Sequence, residues 1–219
     1  NEISKFNQFE SIVENRIQGK KPLVNLSVSN FTDEVSQESP APGGGSVSAQ
    51  AGALASALVS MVANLSFGKK EYLSNKELIL DIGIQAQSLK KDLLNLVDLD
   101  SNAFDKIMIA FRMPKKTENQ IIERDEAIMA ATKHAIYVPF KTMELSMKAL
   151  TLSKKIMKIG NKNSISDAGV ASEISFAAIR GAHMNVLINL KDLNDEAYVL
   201  KTLNKANKIL TKSDREIRI

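Results

Sequence analysis

One aspartate stands out for its position. In "LLNLVDLDSNAFDKIMIAF" (residues 93–111), a helix turning about 100° per residue puts Leu93, Leu96, Val97, Phe104, Ile107 and Phe111 within about 60° of Asp100. Asp98, Asp105 and Lys91 fall on the far side. The two acids of "DLD" are therefore predicted to differ, Asp98 solvated and Asp100 buried or cleft-facing. Desolvation disfavours a carboxylate, raises its pKa and suits proton transfer near neutral pH. The alternative is a buried aspartate bonded to a helix terminus or an arginine.

A second candidate is "ESPAPGGGSVSAQAGALASALVSMVANLSFGKK". Gly43, Gly44 and Gly45 can take positive φ and let the backbone approach another group closely. Placed before a helix, they expose free N–H groups at its positive end, suited to an anion or a polarised carbonyl. Ser46 can cap that helix or donate to a ligand. The competing reading is a flexible linker or a tight turn at a helix crossing. The ending GK[ST] and a preceding strand are missing, so this is not a nucleotide-binding loop.

The third candidate is "GAHMNVLINLKDL" (181–193). Asn185 and Asn189 are four apart and share a helix face with Ala178 and Gly181, which leave room beside them. Paired amides there can read a polar heterocycle, or can form an interhelical hydrogen-bond ladder. Asp167 lies on the Asn185 face if the helix reaches that far back, but about 27 Å away. It is then a partner in a variant capping box with Ser164, or it reaches the site from a second copy. Lys115 and Lys116 could meet an anionic tail, although most such lysines are solvated. His134 and His183 are too isolated to suggest a metal, and His183 is expected on the exposed side. Met143 and Met147 read as core.

The elements that must position these groups are helices. Ten glycines and five prolines in 219 residues cluster, leaving long stretches without breakers. A short helix is expected over 28–37, capped by Ser29 or Asn30 and stopped by Pro40 and Pro42. The next covers 45 to about 66, with Ala49, Ala53, Ala57 and Ser60 on one face and Leu54, Leu58, Met61 and Leu65 on another. Long helical runs follow over 74–112, bending near Gly83, and over 118–159, capped by Thr117 and kinked or split at Pro139. A loop at 160–169 opens a helix to about 190, and a last helix covers 194–212. The fold class is all-α, an antiparallel bundle of long helices. Residues 1–27, with a turn at "GKKP", read as an N-terminal arm or linker remnant, and 28–219 as the helical domain.

Hydrophobic residues make up 44% of the chain and charged residues 25%, an ordinary globular balance. There is no Cys, which excludes disulfides, thiol nucleophiles and Cys-based metal sites and fits a reducing cytoplasm. The net charge of +4 is too small and dispersed to imply nucleic acid. Residues 47–65 carry no charge, but their serines, alanines and Asn64 fit a buried helix better than a membrane span. No signal peptide is visible.

Together with "LVDLDSNAFDKIMIAFRMPKKT", "AIYVPFKTMELS" and "GNKNSISDAG", these segments resemble, in order, the formiminotetrahydrofolate cyclodeaminase/methenyltetrahydrofolate cyclohydrolase family. The likeness covers about residues 28–212. It is nearest to the C-terminal cyclodeaminase domain of the bifunctional members, and "KFNQFESIVENRI" resembles the connector preceding that domain. The resemblance implies a helical domain that forms a homodimer or higher homo-oligomer, with a folate site near the helix interface. It also implies a possible fusion to a formimidoyltransferase domain, and a tetrahydrofolate substrate with no prosthetic group. Asp100 matches the family's catalytic position and Gly43–Ser46 its glycine loop. Asp167, Asn185 and Asn189 match polar positions. The implied reaction closes 5-formimidoyltetrahydrofolate to 5,10-methenyltetrahydrofolate and releases ammonia. Hydrolysis of the methenyl bridge runs through similar intermediates and is not separated by motif. A helical dimerisation module without activity is the reading from another class.

Overall fold

A computed structural model describes residues 22–217. The expected "GKKP" turn and most of the N-terminal arm lie outside the described residues. Six α-helices, and no strand among the described residues, follow in order: α1 (Val28–Val35), α2 (Gly44–Ser66), α3 (Lys76–Phe111), α4 (Glu118–Ile159), α5 (Ile165–Leu190) and α6 (Glu196–Ile217). Short 3₁₀ turns at Leu23–Asn25, Lys70–Asn75 and Lys162–Ser164 join or precede them.

Each boundary has a local cause. Ser27, rather than Ser29 or Asn30, caps α1, its Oγ accepting the Asn30 N–H at 3.1 Å. The helix ends at Val35, before either proline, where the Ser36 N–H and hydroxyl close on carbonyls of the last turn. Helix α3 passes through Gly83 unbroken; a β-carbon there would lie 3.3 Å from Ala63 Cβ, so the glycine serves a close approach to α2. Thr117 caps α4, accepting the Gln120 N–H at 3.3 Å. Pro139 lies within α4 without splitting it. The Ser164–Asp167 capping box does not form, because Ser164 makes no side-chain cap bond after the 3₁₀ turn. Helix α6 runs five residues past its expected end.

Helices α2 to α5 form an antiparallel bundle, with α6 packed against α4 and α5. Helix α2 touches all three of its bundle neighbours. Its small residues make that possible: a β-carbon on Gly52 would lie 2.6 Å from Ser146 Oγ and 3.1 Å from Leu93. Ala49, Ala53 and Ser60 are buried as expected, while Leu54, Met61 and Leu65 point outward. This helix is long and apolar enough to cross a membrane, and most of it is buried against the rest of the bundle.

One apolar cluster joins α2, α3 and α4 through Val59, Ile82, Leu93, Val97 and Ile156. A second joins α4, α5 and α6 through Ile136, Met143, Leu150, Ile179 and Ala206. Each large aliphatic side chain buried there contributes about 1.5–3 kcal/mol. His183 is buried rather than exposed, and its Nε2 meets Asn207 Oδ1 at 2.9 Å, tying α5 to α6. Asp195 ties the start of α6 to α4. It accepts the Tyr198 N–H at 3.0 Å and pairs with Lys133 at 2.7 Å.

Candidate active site

The N-terminus of α2 meets the sides of α3 and α5 at one end of the bundle. Gly43 is the cap residue in an extended conformation and offers no side-chain cap. The only positive-φ glycine among the described residues is Gly68, so conformational freedom is not what Gly43–Gly45 supply. They supply clearance. A β-carbon on Gly45 would overlap the Asp100 carboxyl group, whose Cγ and Oδ2 lie 2.5 Å from its position. One on Gly44 would lie 3.2 Å from Asn185 Nδ2, and one on Gly43 3.3 Å from the Pro40 carbonyl.

Ser46, the third residue of α2, is buried and does not cap its own helix. Its hydroxyl faces the Val97 carbonyl at 2.9 Å and Asp100 Oδ2 at 3.1 Å. The Ser46 backbone N–H favours the charged form of Asp100 as well. A carboxyl from another helix thus sits at the first turn of α2, where the helix's positive end favours negative charge. The bonded-terminus reading of Asp100 and the proton-transfer reading are therefore compatible. Burial raises the Asp100 pKa above the ordinary 3.8, outweighing the Ser46 hydroxyl and backbone bonds, which pull it down. The residue is half-buried rather than sealed. A half-buried carboxyl whose pKa is raised is suited to accepting and returning a proton.

Asn185 joins this group from α5. Its Nδ2 donates to the Gly181 carbonyl at 2.9 Å and sits over Gly44. The room beside Gly181 is filled, because a β-carbon there would overlap the Ser48 hydroxyl of α2. Asn189 Nδ2 donates to the Ala135 carbonyl of α4 at 2.8 Å. The structure thus gathers Gly44, Gly45, Ser46, Asp100 and Asn185, with Gly43 at the edge and Asn189 one turn further on. Asp167 is left at the opposite end of α5, about 27 Å from Asn185 along the axis. Lys115 is exposed in the turn after α3, more than about 16 Å beyond Asp100.

Asp98 is not simply solvated. It is half-buried, and its Oδ1 accepts the Leu23 N–H at 2.6 Å, because the chain preceding α1 folds back across that side of α3. A cavity of about 420 Å³ opens there, lined in part by Pro42, Asp98, Ser101 and Asn102. Those α3 residues face away from Asp100, 100° or more round the helix by about 100° per residue. Among the described residues no cluster of His, Asp or Glu is arranged to hold a metal. His134 has its pKa lowered by burial and by Lys106.

The family model described as formiminotransferase-cyclodeaminase matches residues 27–208. Methenyltetrahydrofolate cyclohydrolase of Methylorubrum extorquens is 34% identical over 189 residues, covering 86% of this chain and 91% of that protein. Formimidoyltransferase-cyclodeaminase of Rattus norvegicus is 31% identical over 211 residues, covering 95% of this chain; the chain spans only 39% of that relative's length. The solved structure of formiminotetrahydrofolate cyclodeaminase from Thermotoga maritima superposes with a TM-score of 0.76 at 29% identity, over 89% of this chain and 94% of that one.

Proposed function

The chain belongs to the formiminotransferase-cyclodeaminase family, and on that premise we propose that it is a formimidoyltetrahydrofolate cyclodeaminase with Asp100 as its acid–base residue. N10 of the folate attacks the carbon of the protonated, cationic formimidoyl group, giving a tetrahedral centre that bears an amino group. Asp100, ionised, takes the proton from N10 as the N10–carbon bond forms. It then returns that proton to the amino group, which leaves as ammonia as the carbon–nitrogen bond breaks, and the methenyl bridge keeps the positive charge. One carboxyl serves both transfers and ends as it began. Holding N10 against the carbon supplies the remainder through proximity. The proposed steps call only for proton transfer and positioning, without a prosthetic group.

The observation carrying this reading is Asp100 set among Gly45, Ser46 and Asn185, with its pKa raised by burial. The glycine loop is proposed to receive the substrate, with Asn185 reading its polar ring and Lys115 meeting its anionic tail. A homodimer or higher homo-oligomer is part of the proposal. Leu54, Met61 and Leu65 stand exposed along α2, and Leu80 and Ile84 along α3, an apolar face that favours self-association. A second copy is the route by which Asp167 would reach Asp100. The Cys-free chain suits a cytoplasmic setting.

Methenyltetrahydrofolate cyclohydrolase is the second reading, favoured by the Methylorubrum relative, which matches over nearly its full length. The test is methenyl-folate formation from the formimidoyl substrate, followed by absorbance with ammonia measured in parallel. Methenyl formation with equimolar ammonia supports the cyclodeaminase. Hydrolysis of added methenyl-folate without ammonia release from the formimidoyl substrate supports the cyclohydrolase. An Asp100→Asn variant as active as wild type would remove Asp100 from either mechanism, and a wild-type chain inert to both folates leaves the non-catalytic module.

A further inference from the structure

Pro139 lies well inside α4. It has no N–H, so the carbonyl four residues earlier, that of Ala135, loses its helical donor. Ala135 is buried, and a buried carbonyl without a donor is strongly disfavoured. The missing donor arrives from another helix, as Asn189 Nδ2 donates to that same carbonyl at 2.8 Å. Among the described residues this is the one side-chain bond from α5 to the backbone of α4.

The bond lies beside the candidate site. Asn189 is one helical turn beyond Asn185, which sits over Gly44. Ala131, Thr132 and Ala135 are buried on the N-terminal half of α4. That half is level with the Asp100 region of α3, since Lys106, six residues past Asp100, acts on His134. Proline inside a helix bends it and loosens its ladder, so α4, which packs on both α3 and α5, needs an external tether at this point.

We propose that Asn189 is a positioning residue: its amide replaces the backbone donor that Pro139 removes from α4 and so fixes the angle at which that helix walls the Asp100 cleft. The two asparagines of "NVLIN" then have different tasks. Asn185 faces the site, while Asn189 commits its amide to holding a neighbouring helix. The kinetic half of the inference rests on the proposed folate reaction; the structural half does not.

The experiment compares the full chain as wild type, Asn189→Leu, Pro139→Ala and the double variant. Asn189→Leu lowers Tm by about 2–8 °C, the effect of leaving one buried carbonyl unpaired in a chain of this size. In the Pro139→Ala background, where the helix regains its own donor, the drop is less than half as large. Equal drops in both backgrounds overturn the proposal. If Asn189→Leu alone does not fold, the double variant decides, because the proposal requires it to fold. In the folate assay Asn189→Leu raises KM about three- to tenfold by misplacing α4 beside the site, with kcat and its pH profile little changed, and the double variant with Pro139→Ala regains most of the loss. A loss of about 100-fold in kcat at constant KM would mark Asn189 as touching the reacting groups and overturn the positioning role. If wild type turns over no folate, the proposed reaction fails while the Tm comparison still judges the tether.

Discussion

The two ends of α2 use the same device for different purposes. At the N-terminal end Gly45 gives clearance to Asp100 and Ser46 bonds it. At the C-terminal end Gly160 gives clearance to Ser66, whose Oγ would lie 3.0 Å from a β-carbon there. Ser66 Oγ accepts the Asn161 N–H at 2.7 Å and donates to the Val62 carbonyl at 2.6 Å. Every group in that second cluster is neutral, and burial costs it little once paired. At the first end the approaching group is a carboxyl, and the same burial raises its pKa. Glycine clearance plus a buried serine is thus a packing solution, and it acquires acid–base potential only when the group admitted can ionise.

The sharpest break comes from Asp100→Asn. On the proposed mechanism, methenyl formation falls by about 10²–10⁴-fold, the range for a lost general acid–base group. Stability moves the other way. Folding raises the Asp100 pKa above 3.8, so the stability linked to that group is present below 3.8 and is lost as pH rises through the folded value. The Tm of Asp100→Asn therefore declines less than that of wild type across that interval, as thermal scans at a series of pH values will read.

The next effects come from the two glycines. Gly45→Ala forces Asp100 aside and is expected to lower kcat at least about tenfold while costing about 1–3 kcal/mol of stability. Gly160→Ala, with the Ile156 carbonyl 2.7 Å from the new carbon, costs a similar amount of stability by denaturant unfolding and leaves kcat unchanged. Comparable activity losses in both would erase the distinction between the ends.

Ser66→Ala leaves the buried Asn161 N–H unpaired, at a cost of about 1–3 kcal/mol, again without change in kcat. Ser46→Ala is the mildest change. The Ser46 hydroxyl lowers the Asp100 pKa and its backbone N–H remains, so the variant shifts the acid limb of the pH–rate profile upward. Its kcat at the optimum stays within about tenfold of wild type, the range of one lost hydrogen bond. A downward shift of the limb would mean that another group governs it.

Much of the architecture was legible because breakers are local. Glycine and proline between helices marked the breaks near 40, 114 and 160, and Thr117 read as a cap because capping depends on neighbours three residues away. Asp100 was legible because helical periodicity places it among apolar residues whatever they pack against. The features that differ from the sequence reading depend on distant chain. From sequence Asp98 reads as solvated, because nothing nearby shows that Leu23, 75 residues earlier, returns to bond it. His183 reads as exposed because its partner Asn207 belongs to the next helix. The space beside Gly181 looked open until Ser48 was placed in it.

An all-helical chain, the positions of its breaks, and an acid that periodicity sets into an apolar stripe can all be read from residue order. These follow from φ/ψ limits and a 3.6-residue repeat, which act over a few residues. It takes the packed helices to show that Gly45 makes way for that acid, that Ser46 bonds it across 54 positions, and that Asn185 sits over the neighbouring Gly44 while Asp167 stays at the far end. Hydrogen bonds and steric exclusion act over a few ångströms in space, and folding alone sets which residues share those few ångströms.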